Sequence, residues 1–187
     1  MRAACCIGRE YVTVTTSSQP SDAQTAVVAA DDFKAAMRQL SAAVNIITTV
    51  QDGQRRGLTA TAVCSLCAEP PRILCCVNRS SENNAAIRAA GIFAINVLPA
   101  TQVELSSDFA GRLTGEDRFG TAEWTTLATG SPVLVGAIAV FDCKLVETVE
   151  SGTHTIFIGE VLAASSEKAA PLLYGDRAYG TLSPLVA

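Results

Sequence analysis

From residue 31 onward the apolar positions change period several times. Phe33, Ala36, Met37, Leu40 and Val44 recur at helical spacing behind Asp31-Asp32, an N-cap signal, and predict an amphipathic helix packed by that stripe onto the core. Val44 to Val50 is rich in branched residues and reads as a strand, Asp52-Gly53 as a turn, and Gly57 to Leu66 as the partner strand of a hairpin. Glu69-Pro70-Pro71 closes that unit, and Arg72 to Val77 is the next strand. Ser81 to Ala90 predicts a helix ended by Gly91, Ile92 to Val97 a strand stopped by Pro99, and Thr101 to Phe109 a second short helix. Pro132 to Glu150 and Thr153 to Ala164 read as two long strands joined at Ser151-Gly152. Six or more strands with two or three short helices give a mainly β chain, a small barrel with helical attachments.

The first 30 residues show no sustained period and are rich in Ser, Thr, Gln and Ala. They are expected to form a flexible N-terminal extension, with Tyr11 to Thr15 available as an edge strand, ahead of one domain over 31–187. Ala3 to Ile7 is broken at once by Arg9 and Glu10, too short for a signal peptide. The longest charge-free stretch, Trp124 to Phe141, is interrupted by Gly130, Pro132 and Gly136, and its dense part is about half a membrane span; a buried strand is expected there. A cytoplasmic location follows as the expectation.

Composition narrows the partners. The chain has 187 residues, 49% of them apolar but only 5% aromatic and 17% charged, with a formal charge of −4. No basic stripe exists to release counterions from nucleic acid or to hold an anionic membrane, so neither is expected as a partner. The low charge also predicts a second buried surface, an oligomer interface. Seven cysteines include Cys64-x-x-Cys67 and Cys75-Cys76. The spacing allows a zinc or redox site, but the neighbours Val63, Leu66, Ile73, Leu74 and Val77 favour small apolar filler in strands. Adjacent strand residues point to opposite faces, so Cys75 and Cys76 do not readily share one metal.

The chemistry is bounded by what is missing. With one histidine, His154, a three-histidine metal site cannot form within the chain. No G-x-S-x-G elbow, P-loop or G-x-G-x-x-G occurs. Four stretches remain. In Gly57 to Leu66, small residues carry hydroxyls at Thr59, Thr61 and Ser65, which lets a flat ligand approach the backbone; a tight barrel strand explains the same pattern. Asn78-Arg79-Ser80-Ser81-Glu82-Asn83-Asn84 sits between strand and helix, where an N-cap, two hydroxyls and an arginine fit either a phosphate or a satisfied cap. Phe109-Ala110-Gly111-Arg112 offers close backbone approach and a second cation, or simply a solvated loop. His154 lies at a hairpin, placed to orient a ring system or to face solvent.

Taken in order, these segments resemble the flavin reductase-like family, the small reductase components of two-component flavin monooxygenases. The resemblance covers about residues 31 to 183. It is carried by Val44-Asn45-Ile46-Ile47-Thr48-Thr49, Gly57-Leu58-Thr59-Ala60-Thr61-Ala62, Glu69-Pro70-Pro71, Arg79-Ser80-Ser81, Phe93-Ala94-Ile95-Asn96-Val97-Leu98 and Phe109-Ala110-Gly111. It continues through Asp117-Arg118-Phe119, Gly130-Ser131-Pro132-Val133-Leu134, Gly152-Thr153-His154-Thr155-Ile156-Phe157-Ile158-Gly159-Glu160-Val161 and Pro171-Leu172-Leu173-Tyr174.

The resemblance implies a split β-barrel (the FMN-binding, flavin reductase-like type) working as a homodimer. Such proteins use NADH or NADPH to reduce FAD or FMN by hydride transfer from nicotinamide C4 to flavin N5. The reduced flavin then diffuses to a separate monooxygenase. On this resemblance Thr59, Ala60, Thr61, Ala62, Val63, Ser65 and Leu66 would hold the isoalloxazine, and Arg79, Ser80, Ser81 and Asn84 the phosphate. Phe109, Ala110, Gly111 and Arg112 would meet the ribityl or phosphate portion, with His154 beside the nicotinamide and flavin as the one catalytic residue. No metal is implied. Two positions depart from the family: Cys64 and Cys67 replace residues commonly Phe, Thr, Ser or Val, and Thr61 stands where Ser or Asn is common. A non-catalytic flavin- or haem-binding split barrel and a zinc-stabilised module on the four cysteines are the competing readings.

Overall fold

The computed structural model describes residues 27–184. The extension predicted over 1–30 lies mostly outside the described residues, as do Ala3 to Ile7 and the Tyr11 to Thr15 strand.

The scaffold is one seven-stranded antiparallel sheet. In chain order its strands are β2 (Asn45–Gln51), β3 (Gln54–Ala60), β4 (Val63–Ala68), β5 (Pro71–Asn78), β6 (Ile92–Val97), β9 (Ala139–Ser151) and β10 (His154–Ser166). The spatial order β3-β2-β6-β9-β10-β5-β4 puts β3 and β4 at opposite edges. Those two edges are joined in sequence by Thr61 and Ala62 alone, so the sheet has to curl until they meet there. It does not close by a further ladder, which is the split-barrel arrangement expected.

Two clusters fill the molecule. Inside the curl, Ile47, Phe93, Ile95, Cys143, Phe157, Cys75 and Val77 pack together, with Ile87 contributed by α2 (Glu82–Ala90). On the outer face, Ile46, Ala94 and Val140 alternate with the inward set and are covered by Leu105, Phe109, Phe119 and Leu134. Both faces of β2 are therefore dry, which explains its unbroken run of buried residues. The cover comes from α3 (Val103–Ser107), the turns over 108–121, and the pair β7 (Trp124–Thr126) and β8 (Pro132–Leu134). A third, small sheet joins β1 (Ala42–Ala43), β11 (Leu173–Gly175) and β12 (Ala178–Gly180).

Local signals account for most boundaries. Ser81 caps α2 by accepting from the N–H of Asn83, and Gly91 ends it at φ 66°. Asp52 and Gly53 both take positive φ, the type I′ geometry that suits a two-residue hairpin. The structure also corrects several expectations. Gly57 to Leu66 is not one strand: it breaks at Thr61-Ala62, and its halves belong to opposite edges of the sheet. Pro132 to Glu150 is likewise split, because Gly136 turns the chain at φ 82° between β8 and β9. The first helix, α1 (Ala30–Met37), buries none of its residues; Phe33, Met37 and Leu40 are exposed, not core. No helix among the described residues is long and apolar enough to cross a membrane.

Candidate functional site

Strand β5 carries the site at its C-terminal end. On one side of it, Ala62 accepts a backbone hydrogen bond from the N–H of Cys76 at 3.0 Å, which seats the Thr61–Ala62 link against the strand. On the other side, β10 pairs His154 directly with Asn78, the last residue of β5. The chain then leaves through Arg79, Ser80 and Ser81 into α2. The small-residue stretch, the cap loop and the lone histidine, far apart in sequence, thus meet at one strand end.

The cap loop is tightly organised. Asn78 Oδ1 accepts from both the backbone N–H and the hydroxyl of Ser80, each at 2.9 Å. The N–H of Arg79 donates to the carbonyl of Thr153 at 2.9 Å, tying the loop to the β9–β10 hairpin. His154 is exposed, with Nδ1 2.9 Å from the hydroxyl of Thr153. Arg79 is exposed and reaches Glu150 at 3.1 Å. Glu150 also pairs with Arg88, whose Nε donates to Asn84 Oδ1 at 3.2 Å and whose Nη2 donates to Thr155 at 3.0 Å. One carboxylate thus faces two guanidinium groups, while Glu82 at the start of α2 pairs with Arg56 at 3.7 Å. The sequence reading missed Arg88, Glu150 and Thr155; the four-residue spacing from Asn84 to Arg88 on α2 was the available signal.

The third segment packs along the open edge of β3. Thr59 donates its hydroxyl to the carbonyl of Ser106 at 2.7 Å, so this side chain anchors α3. Phe109 is buried among Phe119 and Trp124, with ring centroids 5.0 and 5.5 Å away. Only its backbone is left for a ligand, whereas Ala110, Gly111 and Arg112 are exposed. Arg112 donates to the buried Asp108 at 2.6 Å and lies 3.8 Å from Glu104, so its charge is already partnered. The hydrogen bond from Arg112 holds the Asp108 carboxyl below the usual carboxylate range, against the upward push of burial and with help from the Thr121 hydroxyl. Arg118 binds the carbonyls of Leu113 and Gly57 and locks this turn to β3.

Not every candidate converges. Ser65 and Leu66 lie further along β4, where Ser65 pairs with Ile73 and lines a separate cavity of about 260 Å³. Asn84 is buried and donates to the carbonyl of Val77 at 3.1 Å, a supporting position beneath the loop. The cysteines divide: Cys75 is buried, while Cys64 and Cys67 lie in strand β4 as read but are exposed, not packed as apolar filler. Leu66 bulges out of the ladder, so Cys64 and Cys67 face Leu74 and Arg72, two residues apart on one face. Among the described residues no cluster of three ligand-type side chains could hold a metal.

The arrangement suits a flat, anionic cofactor. Thr61, Ala62 and Ala110 are exposed and small, so a planar ring can reach backbone amides at the split edge without a bulky side chain in the way. The cap loop offers hydroxyls, a helix N-terminus and Arg79 to a phosphate.

Comparison with known proteins points to one family. The flavin reductase like domain model matches residues 37–183. A curated relative named FMN reductase (NADH) RutF, from Ancylobacter novellus, is 42% identical over 158 residues, 84% of this chain and 87% of its own. Among solved structures, the NADH:FAD oxidoreductase SgcE6 of Streptomyces globisporus C-1027, in complex with NAD and FAD fragments, superposes with a TM-score of 0.77. It is 28% identical, and the match covers 82% of this chain and 93% of that one. BorF, the flavin reductase component of a bacterial two-component tryptophan halogenase, gives a TM-score of 0.76 at 26% identity, covering 83% and 99%.

Proposed function

The chain belongs to the flavin reductase-like family, and from that premise we propose that it is an NADH-dependent flavin reductase that passes reduced flavin to a separate oxygenase. The observation that carries the reading is the meeting, at the end of β5, of the Thr61–Ala62 link, the Arg79-Ser80-Ser81 loop and His154. FMN is the preferred flavin on the strength of the 42%-identical relative's name, and FAD follows only from a more distant neighbour.

Bound there, the flavin supplies a two-electron acceptor for hydride from the nicotinamide. The protein's task is to bind and orient rather than to move protons. Thr61 and Ala62 present their backbone N–H groups to the ring edge, since the Val63 N–H is donated to the Thr61 carbonyl at 2.9 Å and the Ala62 carbonyl accepts from Cys76, and Ala110 and Gly111 bound the opposite side. Ser80, Ser81 and Arg79 take the phosphate; the Ser81 oxygen accepts from Asn83 and keeps its own proton to donate, whereas Ser80 would exchange its bond to Asn78 for one to the phosphate. His154, exposed beside that loop and steadied by Thr153, orients the nicotinamide over the flavin.

An exposed groove supports a flavin that leaves as product, and BorF is by its name the reductase component of a two-component system. A homodimer is part of this reading. Leu66 on β4, Leu162 on β10 and Val149 on β9 are exposed apolar side chains that a second copy would cover. Exposed thiols at Cys64 and Cys67 suit a reducing compartment such as the cytosol.

The test is steady-state oxidation of NADH and of NADPH with FMN or FAD added. Flavin-dependent turnover, highest with NADH and FMN, is the expected result. Absence of flavin-dependent turnover in all the pairings overturns the reading.

A further inference from the structure

Glu150 stands where the cap loop meets the β9–β10 hairpin, and its carboxylate serves three partners at once. Oε2 lies 3.1 Å from Nε of Arg79, and Oε1 is paired with Nη2 of Arg88. The hydroxyl of Thr155, the cross-strand neighbour of Glu150, donates to it at 3.2 Å.

The two arginines are not equivalent. Arg88 is fixed on several sides: Nε donates to Asn84, Nη2 donates to Thr155, and the guanidinium lies over Phe157, 5.7 Å from the ring centroid. Asn84, Thr155 and Phe157 are all buried, so this arginine has a firm seat. The Arg79 side chain is 58% exposed, and beyond Glu150 it makes a long bond of 3.4 Å from Nη1 to the carbonyl of Gly152. Arg79 is therefore the partner that can leave. Glu150 and Gly152 both draw its guanidinium to the hairpin, whereas the phosphate is assigned to Ser80 and Ser81.

We infer that Glu150 is a positioning residue that competes with the flavin phosphate for Arg79, and so weakens the bound state enough for flavin to leave as product. The inference rests on the flavin reductase reading. A phosphate dianion attracts a guanidinium more strongly than a carboxylate already shared among three donors, so Arg79 passes to the phosphate when flavin binds. The pair with Glu150 is broken in that exchange, and its free energy opposes binding. Glu150 is not left unpaired, because Arg88 and Thr155 stay with it, and the hairpin that carries His154 keeps its place. The competition acts on the phosphate alone and leaves contacts to the ring untouched.

The test is calorimetry of the full chain with FMN and with riboflavin, which lacks the phosphate. Glu150→Gln is expected to tighten FMN about three-fold, the size of an exposed ion pair, and to leave riboflavin unchanged. Stopped-flow measurement should show FMN leaving more slowly by the same factor, since such changes fall mostly on dissociation. A damaged hairpin would weaken binding, so a gain confined to FMN separates positioning from structural support. Glu150→Asp, which withdraws the charge on a shorter stem, gives the same direction if the glutamine variant does not fold. With Arg79→Ala already in place, most of the gain from Glu150→Gln should disappear. FMN affinity that is unchanged or lower in Glu150→Gln overturns the inference, as does a riboflavin change equal to that of FMN or a gain undiminished in the Arg79→Ala background. A chain that binds FMN and shows this exchange yet oxidises no NADH overturns only the function above. A chain that turns flavin over with FMN affinity indifferent to Glu150 overturns only the exchange, and one that binds no FMN overturns both.

Discussion

A Cβ placed on Gly57 would lie 2.7 Å from Cε1 of Phe109. The strand that would support the ring system and the loop that would flank it are thus packed in direct contact, and the contact is possible only because residue 57 has no side chain. Phe109 cannot retreat easily, since Phe119 and Trp124 stand behind it. Gly57→Ala is expected to lower stability by about 1–3 kcal/mol through overpacking. It should also weaken flavin binding by displacing Ala110 and Gly111. A thermal midpoint and a flavin dissociation constant both equal to those of the unaltered protein would contradict this account.

The Asp108–Arg112 pair makes a pH-dependent contribution to the same loop. The folded-state pKa of Asp108 is depressed from the ordinary 3.8, first by its hydrogen bond from Arg112. A depressed carboxyl stabilises the fold above its ordinary value, and that stability is lost as pH falls through the folded pKa. The expected window is therefore below about pH 4. Arg112 is half exposed, so solvent screens the pair and the effect is modest. In Asp108→Asn the fall of the thermal midpoint below pH 4 should be shallower than in the parent. Identical slopes would exclude Asp108 as a source of acid sensitivity.

Adjacent serines of the cap loop separate binding from folding. Ser81 accepts the N–H of Asn83 at 3.3 Å and caps α2, whereas Ser80 bonds only within the turn, to Asn78. Ser81→Ala is expected to cost about 1 kcal/mol of stability as a lost cap, and Ser80→Ala much less. Both should weaken flavin binding, by ~1–3 kcal/mol when combined. Calorimetry with FMN and with riboflavin discriminates: the loss should appear with the phosphate-bearing flavin alone. Equal losses for both would move the phosphate elsewhere.

His154 is expected to matter for the nicotinamide more than for the flavin. It is exposed at the hairpin and bonded only to Thr153, so His154→Ala leaves no buried group unpaired. Turnover with NADH should drop by about ten-fold, which is ~1.4 kcal/mol in the barrier, with flavin affinity nearly unchanged. Unchanged turnover would make His154 a solvated hairpin residue and nothing more.

The residues that carried the sequence reading were those with short-range meaning. Ser81 and Gly91 marked the ends of α2, Asp52-Gly53 marked a hairpin, and Ser151-Gly152 joined the two longest strands, because caps and turns are decided within a few residues. The break at Thr61-Ala62 was invisible for the opposite reason. Threonine and alanine between two strand-forming runs carry no turn signal; the chain changes edges there because the sheet curls, a property of all seven strands together. Phe109 looked like a ligand contact in its Phe-Ala-Gly-Arg setting, yet its burial depends on Phe119 and Trp124, later in the chain.

The cysteines give the last prediction, since the fold sorts them by access. Burial pushes the Cys143 thiol up to about 12, reinforced by the neighbouring Asp142 carboxylate, and pushes Cys75 higher still. Cys76, on the opposite face of β5, is raised by burial as well but is only partly covered. Cys64 and Cys67 are exposed on one face of the edge strand β4. Reactivity follows the thiolate and its access. Among the five cysteines of the described residues, alkylation of the native protein near pH 8 should therefore label Cys64 and Cys67 first and Cys76 more slowly. Cys75 and Cys143 should be labelled only at the rate of unfolding, because their side chains are closed off from solvent by Phe93 and Phe157 in the same cluster. Peptide mapping by mass spectrometry reads each site separately. Labelling of Cys75 or Cys143 in the native protein as fast as Cys64 would mean that the barrel interior opens without global unfolding, and that the curl of the sheet is held less firmly than its packing implies.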